Sequence, residues 1–343
     1  MLRLLLFPFS IIYDLITRVR NHLYNIGHKS SFRFDVPVIS IGNLNVGGSG
    51  KTPMTEYIIR LLSANHKLAT LSRGYGRRTR GFRIANTQDN AATIGDEPYQ
   101  MFMKFGDKVV VTVGEDRAFA IPNILQEFDD VQAILLDDAF QHRSVNPTLS
   151  ILLTAYDHPF TRDYLLPAGN LREARKGASR ADIIVVTKCP SQKFSMDIIT
   201  SDIRKYAGNK PVFFTTVKYG ALKPFGNLNS PTGKIILVTG IANPLPLVDY
   251  LTTRFEIIRH IRYGDHHAFT QADVNDVHYE SLLMSDISIL TTEKDMVRLR
   301  AYPSTSDHPW FYIPIEVEFL KNGAEFDSLI TQQMKPATQN PST

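Results

Sequence analysis

The chain has 343 residues, 43% of them apolar and 21% charged, with a net charge of +4 at neutral pH. These values exclude a disordered or fibrous protein, and at roughly 150 residues per unit they predict two compact units. The single cysteine, Cys189, excludes an intrachain disulfide and fits a reducing compartment.

The first element is the apolar run from Leu4 to Tyr13, preceded by Arg3 and broken only by Pro8 and Ser10. A spanning helix needs about 20 apolar residues, and this run stops at Asp14. No A-x-A-like cleavage site follows to mark a signal peptide. Leu15, Ile16, Val19 and Leu23 extend an apolar face, and Arg18, Arg20 and Lys29 accompany it. Residues 1–30 therefore read as an interfacial helix whose cations meet anionic headgroups. The alternative is a helix docked on the core of its own unit. Residues 1–35 hold Arg3, Arg18, Arg20, Lys29 and Arg33 against Asp14 and Asp35, so most of the basic excess sits here. The nearly neutral remainder predicts no nucleic-acid partner.

Short β-branched runs then alternate with helical patterns. Strands are expected at 36–41, 68–72, 108–113, 133–136, 149–154, 183–187 and 212–216, with helices near 51–64, 96–105, 116–128 and 194–206. This alternation predicts a parallel sheet covered on both faces. The Gly-, Pro- and Asn-containing stretch from Tyr219 to Pro231 reads as a crossing into a smaller unit. That unit has strands at 235–239, 257–262 and 287–290 and helices near 244–251, 270–282 and 293–299. The extended run Trp310–Val317 is expected to return and pair with the segment around Phe213–Tyr219. The organisation expected is thus a helix over 1–30, a larger unit over 31–218, a smaller one with a return strand over 219–320, and a tail over 321–343 that is polar from Lys335 onward.

The sharpest motif is Ile39-Ser-Ile-Gly-Asn-Leu-Asn-Val-Gly-Gly-Ser-Gly-Lys-Thr52, a strand entering a glycine-rich turn that opens a helix. Backbone amides of Asn45, Val46, Gly47, Gly48, Ser49 and Gly50 would surround the phosphates of ATP at a helix N-terminus. Lys51 would reach the β- and γ-phosphates and the Thr52 hydroxyl would ligate Mg2+. Asn45 stands where this motif usually begins with Gly. A P-loop also needs a carboxylate on a neighbouring strand, and the run Val131-Gln-Ala-Ile-Leu-Leu-Asp-Asp138 ends in two. Successive strand residues face opposite sides, so the two play different parts. Asp137 is favoured for magnesium with Gln141 beside it, while Asp138 competes as a helix or turn cap. The fold class expected is a P-loop three-layer α/β/α sandwich with a smaller α/β domain and an N-terminal hydrophobic helix.

Two P-loop classes are disfavoured. Partition-type ATPases carry an extra lysine where Val46 stands. Guanine-specific enzymes place an Asp three residues after an Asn or Thr that precedes a lysine, and here Thr187-Lys188-Cys189-Pro190 ends in proline. Arg73, Arg77, Arg78, Arg80 and Arg83 lie within eleven residues that hold no acid. Arg73 and Arg78 in that cluster suit recognition of a phosphate, and a solvated hairpin face is the alternative.

Taken in order, several phrases resemble one family, the tetraacyldisaccharide 4'-kinases, also called lipid A 4'-kinases. They are Ile41-Gly-Asn43, Gly47-Gly-Ser-Gly-Lys-Thr-Pro53, Leu71-Ser-Arg-Gly-Tyr-Gly76, Gly95-Asp-Glu-Pro98, Asp137-Asp-Ala-Phe-Gln-His142, Leu165-Leu-Pro-Ala-Gly-Asn-Leu-Arg-Glu173, Asp265-His-His267 and Thr292-Glu-Lys-Asp295. Ala139, Asn170 and Gly264 depart from the family pattern. The resemblance implies transfer of the γ-phosphate of ATP to the 4'-hydroxyl of an acylated glucosamine disaccharide 1-phosphate, in lipid A synthesis. It implies an enzyme held on lipids at the cytoplasmic face of the inner membrane, and a monomer is expected. Phosphoryl transfer also needs a group to accept the hydroxyl proton. Asp96 is the candidate, and the resemblance pairs it with His266 as a dyad. The plainer reading makes Asp96 an N-cap. Asn170, Arg172 and Glu173 are expected to touch the sugar or the metal region, whereas Thr292–Asp295 reads equally well as a helix start. Two other functions remain open: a kinase of another small acceptor, and a membrane-associated P-loop switch or chaperone.

Overall fold

A computed structural model of the protein describes residues 5–190 and 192–334. Arg3, Leu4 and the polar end from Lys335 lie outside the described residues. The chain opens with α1 (Phe7–Asn25), then β1 (Val38–Asn43), α2 (Lys51–Leu62), β2 (Leu68–Ser72) and the short β3 (Arg83–Ile84). Next come α3 (Ala91–Ile94), α4 (Asp96–Phe105), β4 (Val109–Val113), α5 (Arg117–Glu127), β5 (Ala133–Asp137) and β6 (Leu149–Ala155). β7 (Ile183–Thr187), α6 (Met196–Ala207) and β8 (Val212–Tyr219) complete this part.

These strands, joined by a late one, form a sheet in the order β14-β8-β7-β6-β1-β5-β2-β4-β3, where β14 is Ile315–Phe319. The seven strands from β8 to β4 are mutually parallel, and β14 and β3 close the two edges antiparallel. The central strands are buried on both faces, which is why they read as unbroken apolar runs rather than alternating ones. On one face Ile58, Ile59 and Leu62 of α2 and Met101 of α4 pack on Ile39, Ile41 and Leu135. On the other, Ile121 and Ile124 of α5 meet Leu71 and Leu136, and Ile203 and Ala207 of α6 meet Ile184 and Val186.

The smaller sheet has the order β11-β10-β12-β13-β9. It uses β9 (Lys223–Pro224), β10 (Lys234–Thr239), β11 (Glu256–Arg262), β12 (Ile287–Thr292) and β13 (Trp310–Ile313). Helices α7 (Leu245–Thr252), α8 (Gln271–Leu282) and α9 (Glu293–Leu299) connect them. The expected return strand is divided. Trp310–Ile313 stays in the smaller sheet beside β12, and only Ile315–Phe319 crosses to β8, with Phe319 opposite Thr215. Pro314 falls at the break, where a residue without an N–H cannot continue a ladder.

The tail expected over 321–343 is also corrected. Gly323–Gln332 form α10, and Phe326 and Ile330, one helical turn apart, are fully buried against Phe213 and the α2 side of the larger sheet. A buried ionic cluster joins the two sheets: Lys104 of α4 bonds Glu56 of α2 at 2.6 Å and Glu293 of α9 at 2.9 Å. It fixes α9 beside α4 and so sets the cleft.

Helix α1 docks by its polar side. Ser10 and Thr17 are its buried residues, Ser10 Oγ donates to Leu165 O at 3.0 Å, and the Tyr13 hydroxyl donates to Arg172 O at 2.9 Å. Its apolar side faces out, with Phe9 60%, Leu15 63% and Ile16 62% exposed. The helix thus docks on its own unit, as the alternative expected, but by its polar face. Arg20 was expected at the headgroups, but its guanidinium donates to Gln141 O. No helix among the described residues is long and apolar enough to cross a membrane.

Candidate active site

The glycine loop leaves β1 at the carboxyl end of the larger sheet, where open α/β sheets place their ligands. Gly50 takes φ +81, a left-handed conformation that turns the chain into α2. At Gly42 a Cβ would lie 2.7 Å from Phe140 Cβ, so only glycine admits the turn after β5. The loop is tied from outside: Val46 N donates to Asn170 O at 2.8 Å, Asn45 Nδ2 to Asp163 Oδ2 at 2.8 Å, and Thr187 Oγ1 to Ser49 O at 2.8 Å. The amides of Gly48, Gly50, Lys51 and Thr52 have no acceptor among the described residues. Open amides, a helix N-terminus and the Lys51 ammonium together make an anion cradle.

On the β5 side the two carboxylates differ. Asp138, at φ +49, accepts from Arg172 Nη1 at 2.8 Å and lies 3.6 Å from Lys51 Nζ. Burial raises its pKa, but Lys51 and Arg172 outweigh that and hold it below the ordinary carboxylate value. Asp137 is buried, and its Oδ1 has no partner among the described residues. Burial, and Glu97 after it, push its carboxyl up to about 7 against the pull of Lys51. A lone buried carboxylate oxygen beside a phosphate cradle fits Mg2+, which is bound by one or two carboxylates plus phosphates rather than by a protein cage. Thr52, in the first turn of α2, has no side-chain bond among the described residues. Gln141 does not fit the same role. Its amide donates to Asn43 O at 2.9 Å and Glu173 Oε1 at 3.2 Å, and its Oε1 faces Arg172 at 3.4 Å.

The acceptor side forms where α4 meets α9. Asp96 is the first residue of α4, but the cap position belongs to Gly95, and no side chain caps this helix. Its Oδ2 lies 3.7 Å from Arg298 Nε. Burial raises its pKa, partly offset by Arg298, His266 and Lys294. His266, at φ +57, has Nε2 3.0 Å from Lys294 Nζ and packs edge-on against Tyr75. Asp96 and His266 thus share one charged cluster without a direct bond. His267 points away, bonding Asp273 at 3.0 Å while stacking on Tyr263.

A family model described as tetraacyldisaccharide-1-P 4'-kinase, LpxK, matches residues 2–335. The chain belongs to this family. A tetraacyldisaccharide 4'-kinase of Flavobacterium johnsoniae is 42% identical, with 98% of each chain covered. Another from Bacteroides thetaiotaomicron is 42% identical, covering 98% of this chain and 94% of its own. The solved structure of LpxK from Aquifex aeolicus, described as an "apo" form in complex with ATP, superposes with a TM-score of 0.77 at 30% identity, over 98% of this chain and 100% of that one.

In this tetraacyldisaccharide 4'-kinase family member the residues expected at the substrate have unequal freedom. Glu173 is buried, bonded by Arg180 at 2.7 Å and by Asn21 of α1 at 3.0 Å, so it braces the site rather than facing a ligand. Asn170 bonds Asp163 at 3.1 and 3.2 Å and holds Val46. Arg172 spans from Leu44 O, through its own amide, to Asp138. In the arginine cluster, Arg77 is taken by Glu115 and Arg83 by Asp89, whereas Arg73, Arg78 and Arg80 are exposed without an ion pair among the described residues. Sequence reasoning missed Lys294, Asp295 and Arg298. Asp295 is fully buried, accepts from Gly240 N at 2.9 Å, and pairs with Arg298, which reaches Asp96. It also missed Arg117, buried with its guanidinium donating to Gly114 O at 2.9 Å and Glu115 O at 3.1 Å, its pKa lowered by burial to about 10 against the pull of Asp137 and Asp138.

Proposed function

We propose that the chain transfers the γ-phosphate of ATP to the 4'-hydroxyl of tetraacyldisaccharide 1-phosphate in lipid A synthesis. The observation that carries this reading is the meeting of two unlike clusters over one cleft. One is the anion cradle with Lys51. The other is Asp96 with Arg298, His266 and Lys294. The two are tied together by Lys104 of α4, which bonds Glu56 of α2, the helix opening from the cradle, at 2.6 Å and Glu293 of α9 at 2.9 Å. Phosphoryl transfer is mostly positioning and charge neutralisation, which this arrangement supplies.

In this reading the open amides and Lys51 hold the phosphates, and Thr52 and Asp137 would hold Mg2+, which would supply neutralising charge at the phosphates. Asp96 accepts the proton of the attacking hydroxyl. His266 orients it, with Lys294 and Arg298 keeping the carboxylate ionised against burial. The exposed Arg73 and Arg78 receive a phosphate of the substrate. The outward apolar face of α1 lies in a lipid surface, the cytoplasmic face of the inner membrane, where an acylated acceptor resides. The units over 31–218 and 219–320 close on the acceptor, and one chain suffices because it carries every group invoked.

The test is incubation of the purified protein with γ-labelled ATP, Mg2+ and tetraacyldisaccharide 1-phosphate, followed by chromatography of the lipid phase. Label in the lipid is expected, with little ATP consumed when the lipid is absent. Steady ATP hydrolysis with no labelled lipid would refute the reading.

A further inference from the structure

Three helices open on residues of the chemistry: α2 on Lys51 and Thr52, α4 on Asp96, and α9 on Glu293 and Lys294. Behind these ends lies a buried polar cluster with no part in the transfer itself. Asp96, Gln100 and Lys104 recur every fourth residue, so one stripe of α4 carries the acceptor carboxylate and two members of the cluster. Gln100 Nε2 donates to Glu56 Oε1 at 2.8 Å and to Glu293 Oε2 at 3.3 Å. Lys104 donates to the other oxygen of Glu56 and to the same oxygen of Glu293. Glu56, Gln100 and Glu293 are all buried. Glu293 stands one residue before Lys294, which bonds His266, and five before Arg298, which reaches Asp96.

The two carboxylates depend on Lys104 unequally. Arg60 Nη2 also donates to Glu56, at 3.0 Å, so Glu56 has a second cation. Glu293 has no other ion pair among the described residues. Burial, and Glu56 after it, raise the Glu293 pKa, and Lys104 and then Lys223 oppose them. A buried ion pair seldom stabilises a fold more than well-packed apolar side chains of the same volume, so stability alone does not account for one placed here. What it supplies is geometry. Charge-assisted bonds are short and directional, and one ammonium meets the helix behind the phosphate cradle and the helix beside Asp96 at once. Phosphoryl transfer is sensitive to that spacing, because a misplacement of about 1 Å can cost about a hundredfold in rate.

We propose that Lys104 is a positioning residue for phosphoryl transfer: its ammonium bolts α2, α4 and α9 at one point and so fixes the distance from Asp96 to the phosphates in the glycine loop. This deepens the reading of the loop as an ATP site and of Asp96 as the proton acceptor, and rests on it. The experiment measures kcat and KM for ATP in the lipid-labelling assay, with the full chain and the variants Lys104→Met and Lys104→Met with Glu293→Gln, at a temperature where melting curves show each variant folded. Lys104→Met is expected to lower kcat about ten- to a hundredfold and to leave KM for ATP within about twofold. It leaves the Glu293 carboxylate buried without its cation, which lowers the melting temperature. Glu293→Gln removes that charge, so the double variant is expected to melt closer to wild type while its kcat stays low. If Lys104→Met alone does not fold, the double variant carries the comparison. Recovery of kcat in the double variant shows that charge balance, and not position, was at stake, and overturns the inference. So does a kcat within about threefold of wild type in Lys104→Met, or a rise in KM for ATP that matches the fall in kcat, and each of these leaves the active site standing. A wild-type chain that labels no lipid retires the site reading and this inference with it.

Discussion

Neutralising Asp96 without changing its shape separates proton acceptance from a merely structural part in α4. In Asp96→Asn the charge facing Arg298 Nε across 3.7 Å is lost. At that separation two unit charges attract by about 1 kcal/mol in water-like surroundings and by about 4 kcal/mol at an effective dielectric of 20. Arg298 keeps its pairing with Asp295, so no unpaired buried charge is created. Burial already outweighs Arg298, His266 and Lys294 and raises the Asp96 pKa, so the stability loss is expected to stay below the lower figure. Loss of a general base lowers kcat by about 10²–10⁴, or roughly 3–5 kcal/mol of barrier. ATP affinity is expected to hold, because Asp96 makes no bond to residues 45–52 among the described residues. Lipid phosphorylation gives kcat, calorimetry gives ATP affinity, and thermal melting gives stability. A kcat within about threefold of wild type, that is, a barrier change under about 1 kcal/mol, removes Asp96 from the chemistry and returns it to the helix start.

Three further outcomes follow from the same geometry. Gly50→Ala has room for its methyl, with Thr187 3.6 Å away, but the φ of +81 adds about 1–2 kcal/mol of backbone strain; calorimetry should show ATP binding weakened about tenfold, and unchanged binding would contradict the cradle. Asp137 has its pKa raised in the fold to about 7 from 3.8, so in Mg2+-free buffer the folded state holds the extra proton. Stability should then be greatest below the unfolded value and fall as pH rises from about 4 to about 7. Asp137→Asn should flatten that slope and abolish Mg2+-dependent activity, and a slope that survives the substitution would remove Asp137 as its source. Replacing Phe9 and Ile16, 60% and 62% exposed, by Glu should abolish sedimentation with anionic lipid vesicles while leaving the melting temperature unchanged; persistent sedimentation would clear α1 of lipid binding.

Much of the fold was legible because parallel strands buried on both faces leave unbroken β-branched runs, and the run into Gly47–Thr52 announces its own turn and helix. Legibility failed where one residue serves two levels of structure. Thr292 and Asp295 do form a helix start, with Asp295 N donating to Thr292 Oγ1 at 3.1 Å, and that local explanation hid the reach of Asp295 to Gly240 and Arg298. Gln141 and Glu173 follow turns and look ligand-facing, but they bond each other across 32 residues and Glu173 also bonds Asn21 of α1, which no spacing reveals. In α10 only Phe326, Leu329 and Ile330 are strongly apolar toward the core, too few beside the polar end of the chain to mark a docked helix. The periodicity of α1 was clear, yet periodicity does not say which face docks. Ser10 and Thr17 decide that, and they are two small hydroxyl residues.

The pairing of β14 with β8, and the burial of Phe326 against Phe213, have a bearing on how the chain is made. The ribosome delivers β8 early, but the strand and helix that cover it arrive only after the whole smaller sheet. At about 5–20 residues per second, the hundred or so intervening residues leave that edge open for roughly 5–20 s. A nascent or truncated chain ending before Ile315 therefore presents a bare strand and an uncovered phenylalanine, the ingredients of edge-to-edge clumping. Completion of translation, rather than collapse of the first half, is what makes this protein safe in a crowded cell.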